Sequence, residues 1–246
     1  MKKKIAIIGS GIAGLTLAKL VKKNSNFEFI VYEKEDNLNL DEGFGIQLST
    51  NSISILNKIG FSQINKNEKF HPHKLDFYSI NGKKICDLDL TTFNSDYEKY
   101  TTIKRSILVE FLKENLLSNS IKFRKKINRI EQVREKINIH FSDGLSDKVD
   151  YLVVSDGVFS NTKTIIEKKL FKPSYFGATA IRVKVKNHDI SNFDNNNISL
   201  VMGPNAHLVL YPINQSKEFN LVCVVRQKLE SNEDIKSILR NIIFKN

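Results

Sequence analysis

The feature that most constrains the fold is a glycine-rich turn between an apolar strand and a helix. The run Ile5-Ala6-Ile7-Ile8 is continuously apolar, as is typical of a buried parallel strand. It leads directly into a G-x-G-x-x-G sequence, Gly9-Ser10-Gly11-Ile12-Ala13-Gly14, after which apolar residues recur at helical spacing. A second strand pattern spans residues 27–32. The three elements predict a right-handed βαβ unit and therefore an α/β fold.

The three glycines have separate physical roles in such a unit. Gly9 permits the tight turn, Gly11 lets a pyrophosphate approach the backbone, and Gly14 lets the helix pack closely on the strands. Ile12 and Ala13 open the helix, whose first N–H groups and positive dipole face the phosphates. The turn therefore predicts a dinucleotide-binding site.

An acidic residue stands where the second strand ends. Glu33 follows Gly14 by 19 residues, close to the spacing of about 20 expected for a ribose-binding acid. Its carboxylate is suited to accept hydrogen bonds from both ribose hydroxyls, and its charge disfavours a 2′-phosphate. This position favours FAD or NAD over NADP.

Charge and cysteine content exclude several other classes of protein. The net charge is +11, but the lysines are scattered in pairs and no nucleic-acid-binding motif accompanies them. We therefore predict a solvated basic surface that attracts anions, with no nucleic-acid partner. Cys86 and Cys223 lack metal-type spacing, and His71 and His73 have no partner ligands nearby, so no metal site is predicted.

The N-terminal lysines are followed by an apolar run, which is the order of segments at the start of a signal peptide. Glycines interrupt the run and no cleavage signal follows, so we predict a mature strand and helix with no transmembrane segment. We expect a cytoplasmic protein with free thiols, and a homodimer is compatible with the sequence.

Further elements follow from hydrophobic periodicity and turn residues. A hairpin at 75–90 is predicted with Asn81-Gly82 as its turn. Helices are predicted at 51–60, with Asn51 as N-cap and Gly60 as stop, and at 106–117, 161–170 and 233–244. Strands are predicted at 121–123, 127–131, 136–141, 151–154, 180–185, 198–202, 208–211 and 221–225.

Several segments resemble a known family. Residues 5–33 resemble the opening of FAD-dependent oxidoreductases. The segments at 43–51, containing Gly43-Phe44-Gly45-Ile46, and at 150–160, containing Ser155-Asp156-Gly157, are similar to those of the group A flavoprotein monooxygenases. That group includes salicylate-hydroxylase-like and ubiquinone-biosynthesis hydroxylases.

The resemblance implies a set of cofactor and substrate residues. Gly45 and Ile46 would lie near the flavin, Arg105 near the FAD phosphates or ribityl chain, and Ile127 near adenine. Asp156 and Gly157 would abut the pyrophosphate. The segments 175–182 and 208–213 resemble strands of the family's substrate sheet, which makes Arg182 and Tyr211 candidate substrate residues.

The implied architecture is a Rossmann-like FAD-binding domain interleaved with a mixed β substrate sheet. We expect the FAD-binding domain at 1–170, with an inserted hairpin at about 70–98, and an incomplete substrate-sheet region at 171–246. The implied activity is hydroxylation of an aromatic or quinone-precursor substrate with O₂ and NADH or NADPH. No catalytic acid or base is assigned, because the flavin carries the chemistry.

The sequence departs from the family pattern at three places. Val154-Ser155 replaces the usual Gly-Ala, and Lys163 replaces an arginine. None of the eleven glycines is followed by Asp, so the Gly-Asp motif that holds the ribityl chain is absent. The resemblance covers only the front part of the family's sequence, and we expect this chain alone to hydroxylate poorly. The alternatives are a flavin-dependent reductase or epoxidase of the same fold, or a non-catalytic or remnant dinucleotide-binding protein.

Overall fold

The structure is a computed structural model that describes residues 2–38, 44–116, 119–171, 174–185, 193–216 and 218–226. The helix predicted at 233–244 lies outside the described residues. The described helices are α1 (Ile12–Lys22), α2 (Thr50–Asn57), α3 (Arg105–Lys113) and α4 (Asn161–Glu167). The described strands are β1 (Lys3–Ile8), β2 (Phe27–Tyr32), β3 (Gly45–Leu48), β4 (Lys69–Phe70), β5 (Lys74–Ser79), β6 (Lys84–Asp89), β7 (Thr101–Lys104), β8 (Ile121–Lys122), β9 (Ile127–Val133), β10 (Lys136–Phe141), β11 (Ser146–Val149), β12 (Tyr151–Val154), β13 (Ala178–Val185), β14 (Ile198–Met202), β15 (Ala206–Pro212) and β16 (Phe219–Arg226).

The glycine-rich turn belongs to a parallel sheet with the order β12-β1-β2-β8. The central strand β1 pairs with β2 on one side and with β12 on the other. Ala6 and Ile7 of β1 are fully buried, because packed elements cover both faces of the strand. The predicted βαβ unit and its parallel sheet are confirmed.

The second large sheet contains six strands in the order β13-β16-β15-β14-β5-β6. The hairpin β5–β6 joins this sheet through a parallel pairing between β5 and β14, although more than 100 residues separate them. The turn of this hairpin contains the predicted Asn81-Gly82 pair, and Gly82 has the positive φ, +79°, that such a turn requires. The predicted class, an α/β fold whose Rossmann-like sheet is interleaved with a mixed sheet, is confirmed. The exact domain boundaries stay a prediction.

A small sheet with the order β3-β7-β4 lies between the parallel sheet and the six-stranded sheet, and we call these two sheets the layers. The sequence patterns did not predict this small sheet. Gly45 begins β3 and donates its N–H to Asn220 Oδ1 at 2.8 Å. A Cβ on Gly45 would lie 2.6–2.8 Å from side-chain atoms of Ile213, Asn220 and Tyr211. Glycine is therefore needed here for contact between the two layers, in addition to the role near the flavin that the resemblance implies.

Helix α2 begins earlier than predicted. Its N-cap is Ser49, in an extended conformation, and not Asn51. Asn51 lies within the first turn, where its side chain accepts a hydrogen bond from the Ser52 N–H at 2.8 Å. Gly60 does end this region, with φ +96°. The prediction placed the cap too late because the Thr and Asn at positions 50 and 51 are both common cap residues.

Two carboxylates fasten β1 to the antiparallel sheet β9–β11. Asp150 accepts hydrogen bonds from the Lys4 backbone N–H at 2.8 Å and from Lys136 Nζ at 2.7 Å. Asp147 accepts from Lys4 Nζ at 2.7 Å and from the Tyr32 hydroxyl. The bonds from Lys136 and from the Lys4 backbone lower the pKa of Asp150 to about 2.

We predict that the stabilising effect of the Asp150 charge disappears in acid. A carboxylate with a lowered folded pKa stabilises the fold above its unfolded pKa, about 3.9, and this stabilisation is lost as the pH falls through the folded value. Urea unfolding should therefore show that Asp150→Asn is less stable than wild type at neutral pH. The difference should shrink between about pH 4 and about pH 2. Glu28→Gln, at an exposed position on β2, is the control, and a difference for Asp150→Asn that does not change with pH would contradict the assignment.

Candidate cofactor site

The glycine turn that ends β1 has a backbone conformation that only glycine adopts easily. Gly9 has φ +97°, and its N–H donates to the Tyr32 carbonyl at 2.8 Å. A Cβ on Gly9 would lie 2.6 Å from the Ser155 carbonyl oxygen at the end of β12. The turn is therefore closely enclosed by the ends of the two neighbouring strands.

Gly14 and Gly11 face very different surroundings. A Cβ on Gly14 would lie 2.0 Å from the Gly9 carbonyl oxygen, whereas a Cβ on Gly11 would meet no atom within 4 Å. Gly14 is thus required for packing of the helix, and Gly11 faces open space. The close packing at Gly14 is the one the sequence predicts, and the approach of a pyrophosphate to Gly11 stays a prediction.

The N-terminus of α1 is open to a ligand. Gly11 is the N-cap and, having no side chain, supplies no capping hydrogen bond. Ile12 and Ala13 are the first helical residues, and N–H groups at such positions have no partner within the helix. The helix end therefore offers backbone donors to an anion next to the open side of Gly11.

Glu33 is tied to the glycine turn by its carboxylate. Glu33 Oε2 accepts from the Ser10 N–H at 2.8 Å and from the Ser10 hydroxyl at 2.7 Å, and Oε1 accepts from the Glu35 N–H at 3.1 Å. Burial raises the pKa of Glu33, but the hydrogen bonds from Ser10, Glu35 and Lys34 outweigh burial, so the pKa is lowered. Glu33 is therefore a fixed negative charge beside the open end of the helix.

Six of the predicted cofactor residues line one cavity of about 610 Å³. They come from four separate parts of the chain and are Gly9, Gly11, Glu33, Ile127, Asp156 and Gly157. The sequence patterns missed other residues of the lining, including Lys125, Lys126 and Thr162. Lys125 and Lys126 immediately precede Ile127, the residue predicted to lie near adenine. Their position next to Ile127 was the sequence signal that could have identified them as lining residues.

A second cavity of about 570 Å³ lies on the other side of Glu33. Arg105, at the start of α3, lines it together with Ser10, and it shares Gly11, Glu33 and Glu35 with the first cavity. The two cavities thus form an extended site that reaches from Ile127 to Arg105 past the glycine turn. This shape suits a long dinucleotide whose pyrophosphate lies near the middle.

The Asp156-Gly157 turn is held by a side chain from α4. Asp156 Oδ2 accepts from the Thr162 hydroxyl at 2.7 Å, and Gly157 has φ +81°. Asp156 Oδ1 is buried and has no hydrogen-bond partner among the described residues. An unsatisfied acceptor in the cavity wall fits a site that receives a hydroxyl or another donor from a ligand.

Ser155 connects the ends of two neighbouring strands. The Ser155 hydroxyl donates to the Ile8 carbonyl oxygen at 2.8 Å and so joins β12 to β1. Its Oγ would lie 2.9 Å from a Cβ on Gly14. Serine at this position is therefore compatible with the glycine turn, because a serine hydroxyl fits beside Gly14 and forms its own hydrogen bond.

Outside the glycine turn and helix α1, four predicted residues do not line either cavity. Gly45 and Ile46 lie in β3, whereas Arg182 is exposed on β13 and Tyr211 is buried on β15. Burial raises the pKa of Tyr211 to about 12, against the opposing effect of the Arg182 charge. Arg182 and Tyr211 thus interact electrostatically within the six-stranded sheet.

Comparisons with known proteins agree with this geometry. The family described as an NAD(P)-binding Rossmann-like domain matches residues 7–40. The 3-amino-4-hydroxybenzoate 2-monooxygenase of Streptomyces cremeus is 26% identical over 85% of this chain and 53% of its own length. The 3-hydroxybenzoate 6-hydroxylase of Klebsiella oxytoca is 25% identical over 96% of this chain and 62% of its own length.

Solved structures share the fold. Klebsiella pneumoniae HpxO in complex with FAD and uric acid has a TM-score of 0.80 at 19% identity, and the match covers 97% of this chain and 61% of that one. A salicylate hydroxylase in complex with its substrate has a TM-score of 0.74 at 15% identity and covers 94% of this chain and 57% of that one. The resemblance to FAD-dependent aromatic hydroxylases is confirmed, and the chain spans about half the length of the curated relatives it matches. Within the described part of the chain, no helix combines the length and apolar character needed to cross a bilayer.

The contrast between Gly14 and Gly11 predicts opposite effects of one added methyl group. Gly14→Ala should lower the free energy of unfolding by about 1–3 kcal/mol, because the methyl group meets backbone that cannot move away freely. Gly11→Ala should change it by less than about 1 kcal/mol, the usual scale for a helix N-cap change. Chemical denaturation of both variants without ligand measures this, and equal stabilities would show that α1 does not pack as described.

Proposed function

We propose that this chain binds FAD in the extended site and supplies the FAD-binding part of an aromatic-ring monooxygenase. The activity proposed for the protein is hydroxylation of an aromatic substrate with O₂ and with NADH or NADPH as the reductant. The observation that carries the proposal is the open side of Gly11, which faces a site reaching from Ile127 to Arg105. The relatives support the reaction class, because those that match over most of this chain are named as monooxygenases and hydroxylases.

Each part of the site suits one part of FAD. The N-terminus of α1 and the Gly11 backbone would hold the pyrophosphate, since they offer donors and no side chain intervenes. Glu33 would accept hydrogen bonds from the adenosine ribose, and Ile127 would contact adenine. Arg105 would pair with a phosphate oxygen or the ribityl chain on the opposite side of the turn.

When bound, FAD supplies the redox chemistry with the nicotinamide donor and O₂. The residues of this chain would bind the cofactor and fix its orientation at the glycine turn. Asp156 contributes by keeping the turn before α4 closed through Thr162, with a second acceptor oxygen left for the ligand.

The substrate is proposed to be an acidic aromatic compound bound against the six-stranded sheet. Arg182 supplies a positive charge on β13, and the buried Tyr211 supplies a hydroxyl on β15. The Streptomyces cremeus and Klebsiella oxytoca relatives are named for benzoate substrates, whose carboxylate a guanidinium would bind. The cytoplasmic location, the homodimer and the choice between NADH and NADPH stay predictions.

Direct titration with FAD tests the proposal. The purified chain should bind FAD with a change in flavin absorbance or fluorescence, whereas FMN, which lacks the adenosine half, should bind more weakly. Gly11→Val should abolish FAD binding because its side chain fills the space at the pyrophosphate, with little change in unfolding of the ligand-free chain. FAD binding by Gly11→Val at the wild-type level would refute the site.

Oxidation of NADH and NADPH by the FAD-loaded chain separates the proposed class from its alternatives. Oxidation that depends on FAD and is stimulated by hydroxybenzoates supports the monooxygenase. FAD binding with no such oxidation would favour the non-catalytic dinucleotide-binding alternative.

Glu33→Gln should weaken FAD binding and reduce discrimination against a 2′-phosphate. The amide keeps the size of the side chain but removes the charge, so FAD affinity should fall by about 1–3 kcal/mol, the usual range for hydrogen bonds to charged groups. The ratio of NADP to NAD affinity should rise, because the charge no longer repels the phosphate. Isothermal titration with all three ligands measures both effects, with Glu28→Gln, on the strand that precedes Glu33, as the matched control. Unchanged affinities would show that Glu33 only holds Ser10.

A further inference from the structure

A third cavity, of about 660 Å³, lies outside the proposed cofactor site. It is formed between α2, the short turn at 61–63, β4 and the segment at 95–101, and we call it the lysine groove. Its charged and titratable lining consists of Lys66, Lys69, His71, Asp96, Tyr97 and Lys99. Its volume lies within the range of about 300–1,000 Å³ found for small-molecule sites.

The central residue of the lysine groove is a buried lysine. Lys69 is only 6% exposed, and its Nζ donates long hydrogen bonds of 3.4 and 3.3 Å to the carbonyl oxygens of Phe61 and Ser62. The Nζ also lies 5.2 Å from the centre of the Phe61 ring. Among the described residues, no carboxylate lies within ion-pair distance of Lys69. A buried ammonium with only such weak partners is costly unless an anion completes its surroundings.

The surroundings of Lys69 add further positive charge. Burial lowers the pKa of Lys69, and the nearby charge of Lys66 lowers it further. Burial also lowers the pKa of His71, where the charges of Lys99 and Lys69 act in the same direction and the Tyr100 carbonyl oxygen opposes them. Asp96 is the one carboxylate among the described lining residues, which include three lysines. The lysine groove is therefore electropositive.

The lysine groove also has apolar walls. Ile53 and Phe61 are buried in its lining, whereas Tyr97 is 85% exposed at its edge. Apolar walls around a buried cation favour a ligand that combines a negative group with an apolar body. They are less suited to a fully hydrated ion.

We propose that the lysine groove binds a small organic anion, whose carboxylate or phosphate pairs with Lys69 and whose apolar part packs against Phe61 and Ile53. Lys66 and Lys99 attract the anion from the rim of the groove, and the third proton of the Lys69 ammonium faces the ligand. This site is separate from the extended cofactor site, because the two share no lining residue.

Isothermal titration of the FAD-saturated chain with benzoate, phenyl phosphate and inorganic phosphate tests the site. Benzyl alcohol, which has a similar ring and no charge, is the control ligand. Saturating FAD removes competition at the proposed pyrophosphate site, and the same titrations in Arg182→Met remove the charge of the proposed substrate site, which lies outside the lysine groove. We expect the aromatic anions to bind more tightly than inorganic phosphate, and benzyl alcohol not to bind.

Variants then assign the binding to Lys69. Lys69→Met keeps an apolar chain of similar length without the charge, and it should weaken anion binding roughly 10- to 100-fold. The matched control is Lys148→Met, at an exposed position on β11, which should bind as wild type does. If Lys69→Met does not fold, the exposed positions Lys66→Met and Lys99→Met replace it, and each should weaken binding severalfold.

Two results would overturn the proposal. The first is wild-type anion affinity in Lys69→Met, or in both Lys66→Met and Lys99→Met, since binding would then occur elsewhere. The second is the absence of anion binding by the wild-type chain, which would show that the carbonyl oxygens and the Phe61 ring suffice for Lys69.

Discussion

The structure depends on one backbone contact, the approach of helix α1 to the end of strand β1. The Gly9 carbonyl oxygen lies 2.0 Å from the position that a Cβ of Gly14 would take, and the Ser155 backbone after β12 lies close beside Gly9. This contact fixes where the helix begins relative to the sheet. It therefore also sets the position of the helix N-terminus, the open side of Gly11 and the Ser10 groups that hold Glu33.

Much of the fold could be predicted from the sequence, because local patterns specify the parts with strong periodicity. The apolar run of β1, the glycine spacing and the position of Glu33 together define one βαβ unit. The hairpin was equally clear, since Asn81-Gly82 permits the positive φ that its turn requires. Strands β9, β10 and β12 also occur close to their predicted positions, because their apolar residues alternate or run continuously.

The joining sheet β3-β7-β4 escaped prediction for physical reasons. Its strands are two to four residues long, and Thr101 and Thr102 are polar although they are buried. Their burial arises from packing between layers, which no local pattern records. The same holds for Gly45, whose role in packing depends on residues about 170 positions later in the chain. In the site, the motifs indicated the glycine turn, Glu33 and the Asp156-Gly157 turn, and Lys125 and Lys126 directly precede a predicted site residue. The hydrogen bond from Thr162 to Asp156, in contrast, appears only in the folded structure.

The interleaving of the two sheets has a consequence for how the chain acquires its structure. The central strand β1 gains its second neighbour only when β12 arrives, since Ile5 pairs with Tyr151, and β5 gains its parallel partner only when β14 arrives. Both sheets therefore lose the conformational entropy of closing long loops before their strand pairs gain hydrogen bonds. Parallel pairing at such sequence separation is slow. During synthesis, β1 and β5 emerge from the ribosome well before their partners and carry unpaired edges for that interval. A chain of this topology therefore exposes these strand edges until pairing is complete, which is the interval in which chaperones can act.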